Sequence, residues 1–236
     1  LPKPQQLLGM EQACELLLQA FKQQWHIVIV ADFDSDGATS CAVAVRGLRA
    51  LGAENVHYIV PNRFKHGYGL TPQLVDEIAE SQHADLLITV DNGIASMKGV
   101  KAAHSRGMKV LVTDHHLQAE ELPEAEAIIN PNQNGDAFPS KHLAGVGVCF
   151  YMLLGFRQLL RQKNWFEQQD IAEPNLMYLL DLVALGTVAD VVKLDRLNRT
   201  FVSLGLNRIR AGKACPGILA LLHVAGKDCH SLSTID

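Results

Sequence analysis

Asp32, Asp34 and Asp36 stand at every second position in ADFDSDG (31–37), directly after the apolar run IVIV. At ~4 Å and an effective dielectric of ~20, each like-charged pair costs on the order of 4 kcal/mol before relaxation. Such a cluster calls for a positive partner, unless it is a solvated turn of the kind that Asp favours and Gly37 would complete. Two further groups can do chemistry: Asp91-Asn92-Gly93 after DLLITV, and Asp114-His115-His116 after KVLVT. In an extended segment, residues two apart point the same way, so Asp32, Asp34 and Asp36 are expected to converge. Carboxylates with one or two imidazoles and no thiolate suit Mn²⁺ or Mg²⁺ better than Zn²⁺. The number of ligands exceeds the need of one ion. A pair of ions ~3.5–4 Å apart would activate water and neutralise a phosphoryl group. Paired histidines also occur as caps or packed side chains; the coincidence of three strand ends favours a ligand role.

The elements that must position these groups follow from hydrophobic period and punctuation. Continuous apolar runs at 27–31, 56–60, 85–90, 109–113 and 125–130 predict five strands. Between them lie stretches of helical spacing: MEQACELLLQAFKQQ (10–24), ATSCAVAVRGLRALG (38–52), TPQLVDEIAESQ (71–82, Thr71 as N-cap and Pro72 in the first turn) and SMKGVKAAHSRG (96–107). Strands buried on both faces and alternating with helices predict an α/β fold, doubly wound, mainly a five-stranded parallel sheet with helices on both faces. From Gly145 onward the pattern turns helical, and residues 1–160 are expected to form the α/β domain with 161–236 a helical segment completing it. QNGDAFPSK (133–141) reads as a long loop, and 162–174 as a polar connection between helices. Ligands of open α/β sheets sit beyond the carboxyl ends of the strands, where all three acidic groups fall.

Competing motifs fail on their own terms. DFDSDG opens like an EF-hand loop, but the twelfth position is Val43 rather than Glu, and a strand precedes it. Gly145-Val146-Gly147 begins a dinucleotide fingerprint, but Phe150 occupies the third Gly position. No GxxxxGK[ST] loop is present. The small residues of LAGVGV (143–148) leave two readings open, close backbone approach to a phosphate or tight helix packing.

Composition bounds the class. The chain has 236 residues, 48% hydrophobic and 19% charged, enough for a sizeable core. No segment reaches the ~20 apolar residues of a membrane span, and the N-terminus shows no signal-peptide pattern. Position 1 is Leu rather than Met, as in a trimmed or partial chain. Five dispersed cysteines with no CxxC pair fit reduced thiols and a cytoplasmic location. The net charge of −4 argues against a broad basic surface but not against an acidic cleft working on phosphates through metal ions.

VADFDSDGATS, PNRFKHGYGL, ITVDNGI, VTDHHL, AIINPN, FPSKHLAGVGV and LLDLVALGTVADVV together resemble, in order, segments of the DHH phosphoesterase superfamily, and within it the bacterial single-strand-specific 5′→3′ DNA exonucleases. The resemblance covers essentially the whole chain. It implies a Mn²⁺/Mg²⁺-dependent phosphodiesterase acting on single-stranded DNA in repair and recombination, working with a RecQ-type helicase and a single-strand-binding protein. Carried onto matching positions, it implies metal ligands Asp34, Asp36, Asp91, His115 and Asp190, with Asp32 ligating or orienting and His116 in or beside the cluster. Asp36, Asp91, His115 and His116 would carry catalysis, and Asp114 would support a neighbouring histidine. Unaided, Asp190 reads as a helix-end Asp on a solvated turn, and Asp181 is the competing carboxylate of its segment. Arg63, Tyr68, Gly145 and Gly147 are candidate substrate contacts. Ala31 and Ser35 depart from the usual Gly and Ala without removing a ligand; His66 and His142 read as surface residues. The resemblance also implies a longer enzyme with a second cleft domain and an OB domain beyond Asp236, so that this chain binds metal but degrades single-stranded DNA poorly. Pyrophosphatase, oligoribonuclease or cyclic-dinucleotide phosphodiesterase activity, and a non-catalytic scaffold, are the alternatives.

Overall fold

The structure, a computed structural model, describes residues 1–235. Strands β1 (Ile27–Ala31), β2 (Val56–Ile59), β3 (Leu86–Val90), β4 (Lys109–Thr113) and β5 (Ala127–Ile129) form one sheet in the order β2-β1-β3-β4-β5. Every neighbouring pair is parallel. The order reverses between β1 and β3, so the switch point lies beyond their carboxyl ends. β1 and β3 are buried at all five positions, as continuous apolar runs in a sheet covered on both faces must be.

Alternation decides which side chain meets which layer. Ile27, Ile29, Leu86, Ile88 and Val90 pack into the core that includes helices α1 (Met10–Lys22), α2 (Ser35–Ala50) and α5 (Gly145–Gln162). Val28, Val30, Leu87, Val110 and Val112 face helices α3 (Pro72–Ser81) and α4 (Met97–Ser105). Thr71 caps α3 by accepting from the Leu74 N–H, with Pro72 in the first turn as the sequence predicts.

The helical remainder packs on the same body. A short helix α6 (Trp165–Gln168) interrupts the connection predicted to be polar, because Trp165 and Phe166 are buried and Trp165 lies 6.0 Å from the Phe21 ring. Helix α7 (Leu180–Ala189) is apolar on nearly all sides and lies against α2, α5 and α8 (Arg196–Arg210). Helix α9 (Pro216–Val224) follows. Asp181, fully buried, accepts from the N–H groups of Leu182 (2.9 Å) and Cys215 (2.6 Å) and so ties α7 to the start of α9.

Two expectations change. α2 begins at Ser35 rather than Ala38: Asp34 is its N-cap and accepts from the Gly37 N–H at 2.8 Å. Asp32, Asp34 and Asp36 are therefore not an extended row, and Asp36 points from the first turn of a helix. His66 is not on the surface; its ring is buried, with the Asn62 N–H on Nδ1 (3.2 Å) and Glu77 beside Nε2 (3.1 Å), and it folds the 61–70 loop. His142 is exposed.

Candidate metal centre

The groups at the strand ends meet. His115 Nε2 lies 3.2 Å from Asp91 Oδ1, 3.6 Å from Asp190 Oδ2 and 4.0 Å from Asp36 Oδ2. Asp91 follows β3, His115 follows β4, Asp36 lies in the first turn of α2, and Asp190 ends α7. At these strand ends potential ligand atoms fall into three overlapping trios, each within 4.8 Å: Asp36, His115 and Asp190; Asp91, His115 and His116; and Asp32, Asp34 and Asp91. Among the described residues, every side chain predicted from the sequence as a metal ligand joins one of them.

The backbone is bent to achieve this. Asp91 has φ +63° and Val191, directly after Asp190, has φ +59°, in the left-handed region that non-glycine residues seldom occupy. A β-branched residue there is especially unfavourable, and strain of this kind collects at functional sites. Two glycines permit the close approach of helices. A Cβ on Gly145 would stand 2.4 Å from Asp91 Oδ1, and one on Gly186 would stand 2.2 Å from Thr39 Oγ1 and 3.0 Å from Asp36 Oδ1.

Asp36 is held by the N-terminus of α5: the Gly145 N–H donates to Oδ2 (2.6 Å) and the Val146 N–H to Oδ1 (2.9 Å). Gly145, read from the sequence with Gly147 as a substrate contact, here meets carboxylates of the same chain. The close approach exists, but Gly145 spends it on Asp36 and Asp91. Gly147 is buried, donates its N–H to Ala144 and packs toward Leu143. Asp114 works from behind the site. It accepts from the N–H groups of Ile94 (2.8 Å), His115 (2.7 Å) and His116 (3.1 Å), and pairs with His116 Nδ1 at 2.7 Å. It thereby joins the β3 and β4 tips and holds the His116 ring by its Nδ1.

Electrostatics show what the cluster fits. Burial and the neighbouring Asp91 push Asp36 up to about 8; burial and Asp34 push Asp91 up to about 9. Burial also raises Asp32 and Asp190. The bond to Asp114 raises His116 to about 9. Burial alone would raise Asp114, but the bonds from His116 and Ile94 outweigh it and hold the carboxyl below the usual range. Asp91 Oδ1, His115 Nε2 and Asp190 Oδ2 are buried without a hydrogen-bond partner. Buried orphan acceptors on carboxylates that repel one another fit a divalent cation: it would supply the missing partner and the missing positive charge together. The oxygen-rich donor set with one or two imidazoles matches Mn²⁺ or Mg²⁺.

The rim carries the other predicted contacts. Arg63 lies over the Phe33 ring at 4.8 Å and within 5.9 Å of the Phe64 ring. Tyr68, about half exposed, donates to the Asp91 carbonyl (3.4 Å) and meets His116 edge-on at 6.0 Å between centroids. Sequence reasoning assigned no role to Asn92. It is fully buried, and its Nδ2 donates to the carbonyls of Val30 (3.1 Å) and Val90 (2.9 Å), clasping the β1 and β3 tips at the switch point. Its place between Asp91 and a glycine was the available signal.

A doubly wound parallel sheet with a carboxylate–imidazole cluster at its switch point defines the class: an α/β domain with a candidate metal centre beyond the carboxyl ends of its strands. The chain belongs to the DHH family, whose model, described as "DHH family, N-terminal domain", matches residues 26–187. The single-stranded-DNA-specific exonuclease RecJ of Salmonella typhimurium is 56% identical over 232 residues, which are 98% of this chain and 40% of that protein. The chain thus spans about two fifths of the length of such curated relatives. A crystal structure of exonuclease RecJ bound to manganese superposes with a TM-score of 0.80 at 34% identity, covering all of this chain and 55% of the other. Thermus thermophilus RecJ in complex with Mg²⁺ gives a TM-score of 0.61 at 30% identity, covering 94% of this chain and 26% of the other.

Proposed function

We propose that this chain is the catalytic core of a Mn²⁺- or Mg²⁺-dependent phosphodiesterase that removes nucleotides from the 5′ end of single-stranded DNA. One observation carries the metal reading: Asp91 Oδ1, His115 Nε2 and Asp190 Oδ2 are buried without hydrogen-bond partners, and His115 Nε2 lies 3.2–4.0 Å from carboxylate oxygens of Asp91, Asp190 and Asp36. The substrate class rests on similarity to relatives named as single-strand-specific exonucleases and on the PNRF and LAGVGV segments.

Asp36, His115 and Asp190, joined by Asp91 3.2 Å from His115 Nε2, would hold one ion; Asp32 and Asp34, with Asp91 shared, line the place for a second. When bound, the cations supply Lewis-acid activation of water and neutralise charge on the phosphoryl oxygens. The chain's own residues do the rest. The α5 amides fix the Asp36 carboxylate so that no reorganisation is needed during reaction. Asp114 aims His116 at the open side of the centre, where it donates to a phosphoryl oxygen. Arg63, propped on Phe33, offers a cation to a phosphate at the rim, and the half-exposed Tyr68 ring offers a face for a terminal base. Residues 161–236 complete the unit, since α7 brings Asp190. The five free cysteines support a cytoplasmic setting. By resemblance, a RecQ-type helicase would supply the strand and a single-strand-binding protein would hold it open.

The test is a product assay in Mn²⁺ with 5′-phosphorylated single-stranded DNA, duplex DNA, short RNA and pyrophosphate in parallel. The reading expects mononucleotide release from the single strand alone, at a lower rate than a full-length relative. Preference for pyrophosphate or short RNA would refute the substrate class, and no turnover of any of them would refute the catalytic reading.

A further inference from the structure

The sheet ladder between β4 and β5 ends at Thr113 and Ile129, yet the two chains do not separate there. The Asp114 N–H donates to the Ile129 carbonyl (3.1 Å). Beyond it, side chains take over the ladder. Asn130 Nδ2 donates to the His116 carbonyl (2.9 Å), Asn132 Nδ2 to the His115 carbonyl (2.5 Å), and the Asn134 N–H to Gln118 Oε1 (2.8 Å). Asn130 Oδ1 accepts the Asn132 N–H (2.8 Å), so the two amides brace each other. Asn130 is fully buried and Asn132 half-buried.

Successive residues of a strand point to opposite sides. His115 and His116 nonetheless both face the centre, with ring centroids 4.5 Å apart. The strand ends at Thr113 and the chain bends at His116, so strict alternation no longer applies. Outside a ladder the His115 and His116 carbonyls must find side-chain or water partners, and the direction of each ring depends on the backbone it hangs from. The two carbonyls at issue are the ones the asparagines hold.

We propose that Asn130 and Asn132 are positioning residues for the metal centre: by fixing the carbonyls of His116 and His115, they set the directions of both imidazoles. The proposal rests on the metal reading above. Groups that orient ligands from behind commonly change metal affinity about 10–100-fold when removed.

The test compares Asn132→Ala with Gln133→Ala in the 236-residue chain. Gln133 Nε2 donates to the carbonyls of Ile128 (3.0 Å) and Asn130 (3.2 Å), two bonds in the same loop with none to a histidine. The readouts are the Mn²⁺ Kd by calorimetry, the metal-free Tm, and the imidazole resonances of the metal-free protein by NMR. The proposal expects Asn132→Ala to weaken Mn²⁺ binding about tenfold or more and to move the His115 resonances. Gln133→Ala should lower Tm while leaving both unchanged. Asn130→Ser, read the same way, should move the His116 resonances. Wild-type affinity and spectra in Asn132→Ala would overturn the proposal, as would equal losses in Gln133→Ala. It would also fall if both asparagine variants failed to fold while Gln133→Ala folded, for the bonds would then hold the fold rather than the rings. Failure of the wild-type chain to bind Mn²⁺ would instead refute the metal reading, and the metal-free resonances would still decide whether the asparagines aim the rings.

Discussion

Burial keeps the carboxyls of the candidate centre protonated to unusually high pH, and this fixes how the proposed metal binding depends on pH. Asp36 and Asp91 are pushed up to about 8 and about 9 by burial and by neighbouring carboxylates, against ~3.9 for an unfolded Asp. A raised folded-state value means that the folded protein holds protons the unfolded chain has released. The associated stability is fully present below pH ~4 and is lost as pH rises through about 8 and 9. Each group can cost about 1.4 kcal/mol per pH unit within that window, so the pair costs at most about 2.7. His116, raised to about 9, acts in the same sense at the upper end. Asp114, held low, acts in the opposite sense, in acid below pH ~4. A divalent cation that takes both carboxylates must displace their protons, up to two per binding event. Mn²⁺ affinity should therefore rise up to ~100-fold per pH unit between about pH 5 and 8. Calorimetric titration with Mn²⁺ at about pH 6.5, in buffers of different ionisation enthalpy, counts the protons directly. Release of between one and two protons is expected, together with a metal-free Tm that falls from about pH 5 to 8 and a gain from Mn²⁺ that grows over the same range. Binding that releases no proton and shows the same Kd at about pH 6 and about pH 8 would refute the reasoning.

Further outcomes follow from single contacts. Gly145→Ala places a Cβ 2.4 Å from Asp91 Oδ1; it should cost about 1–3 kcal/mol and weaken Mn²⁺ binding tenfold or more, read by thermal denaturation and calorimetry. Asp181→Ala strands the buried N–H groups of Leu182 and Cys215; it should lower stability by about 1–3 kcal/mol each way of measuring while leaving the Mn²⁺ Kd unchanged, which separates this carboxylate from Asp190. Arg63→Ala removes a rim cation that touches no ligand; KM for single-stranded DNA should rise about tenfold with Mn²⁺ affinity intact, measured by steady-state kinetics.

Much of this site is legible in the sequence because parallel strands deliver their carboxyl ends to one edge. Once IVIVA, LLITV and KVLVT read as strands, Asp32, Asp91 and His115 had to be neighbours. The asymmetry lies in what helices add. Alternation in DFDSDG predicts an extended row, but Asp34 satisfies the first-turn amides of α2 and the chain turns helical at once. Asp190 is separated from the other ligands by the whole length of α5 and α7, and no local period connects it to them. Its signal was electrostatic: an acid at the C-terminal end of a helix faces the negative end of the dipole and needs a positive partner. The glycine-rich turn before α5 showed that something comes close, but not that the guest is a carboxylate of the same chain. His66 looked like a surface residue because its partners, Asn62 and Glu77, meet only when the 61–70 loop folds over α3.

The central claim is that acids and an imidazole from four separate elements surround a divalent cation. Anomalous diffraction from a crystal soaked in Mn²⁺ tests it most directly. The account predicts a manganese peak at coordination distance from Asp36, Asp91, His115 and Asp190, the last three through the atoms now without partners. A crystal with no peak there, or with these side chains turned away from one another, would contradict it.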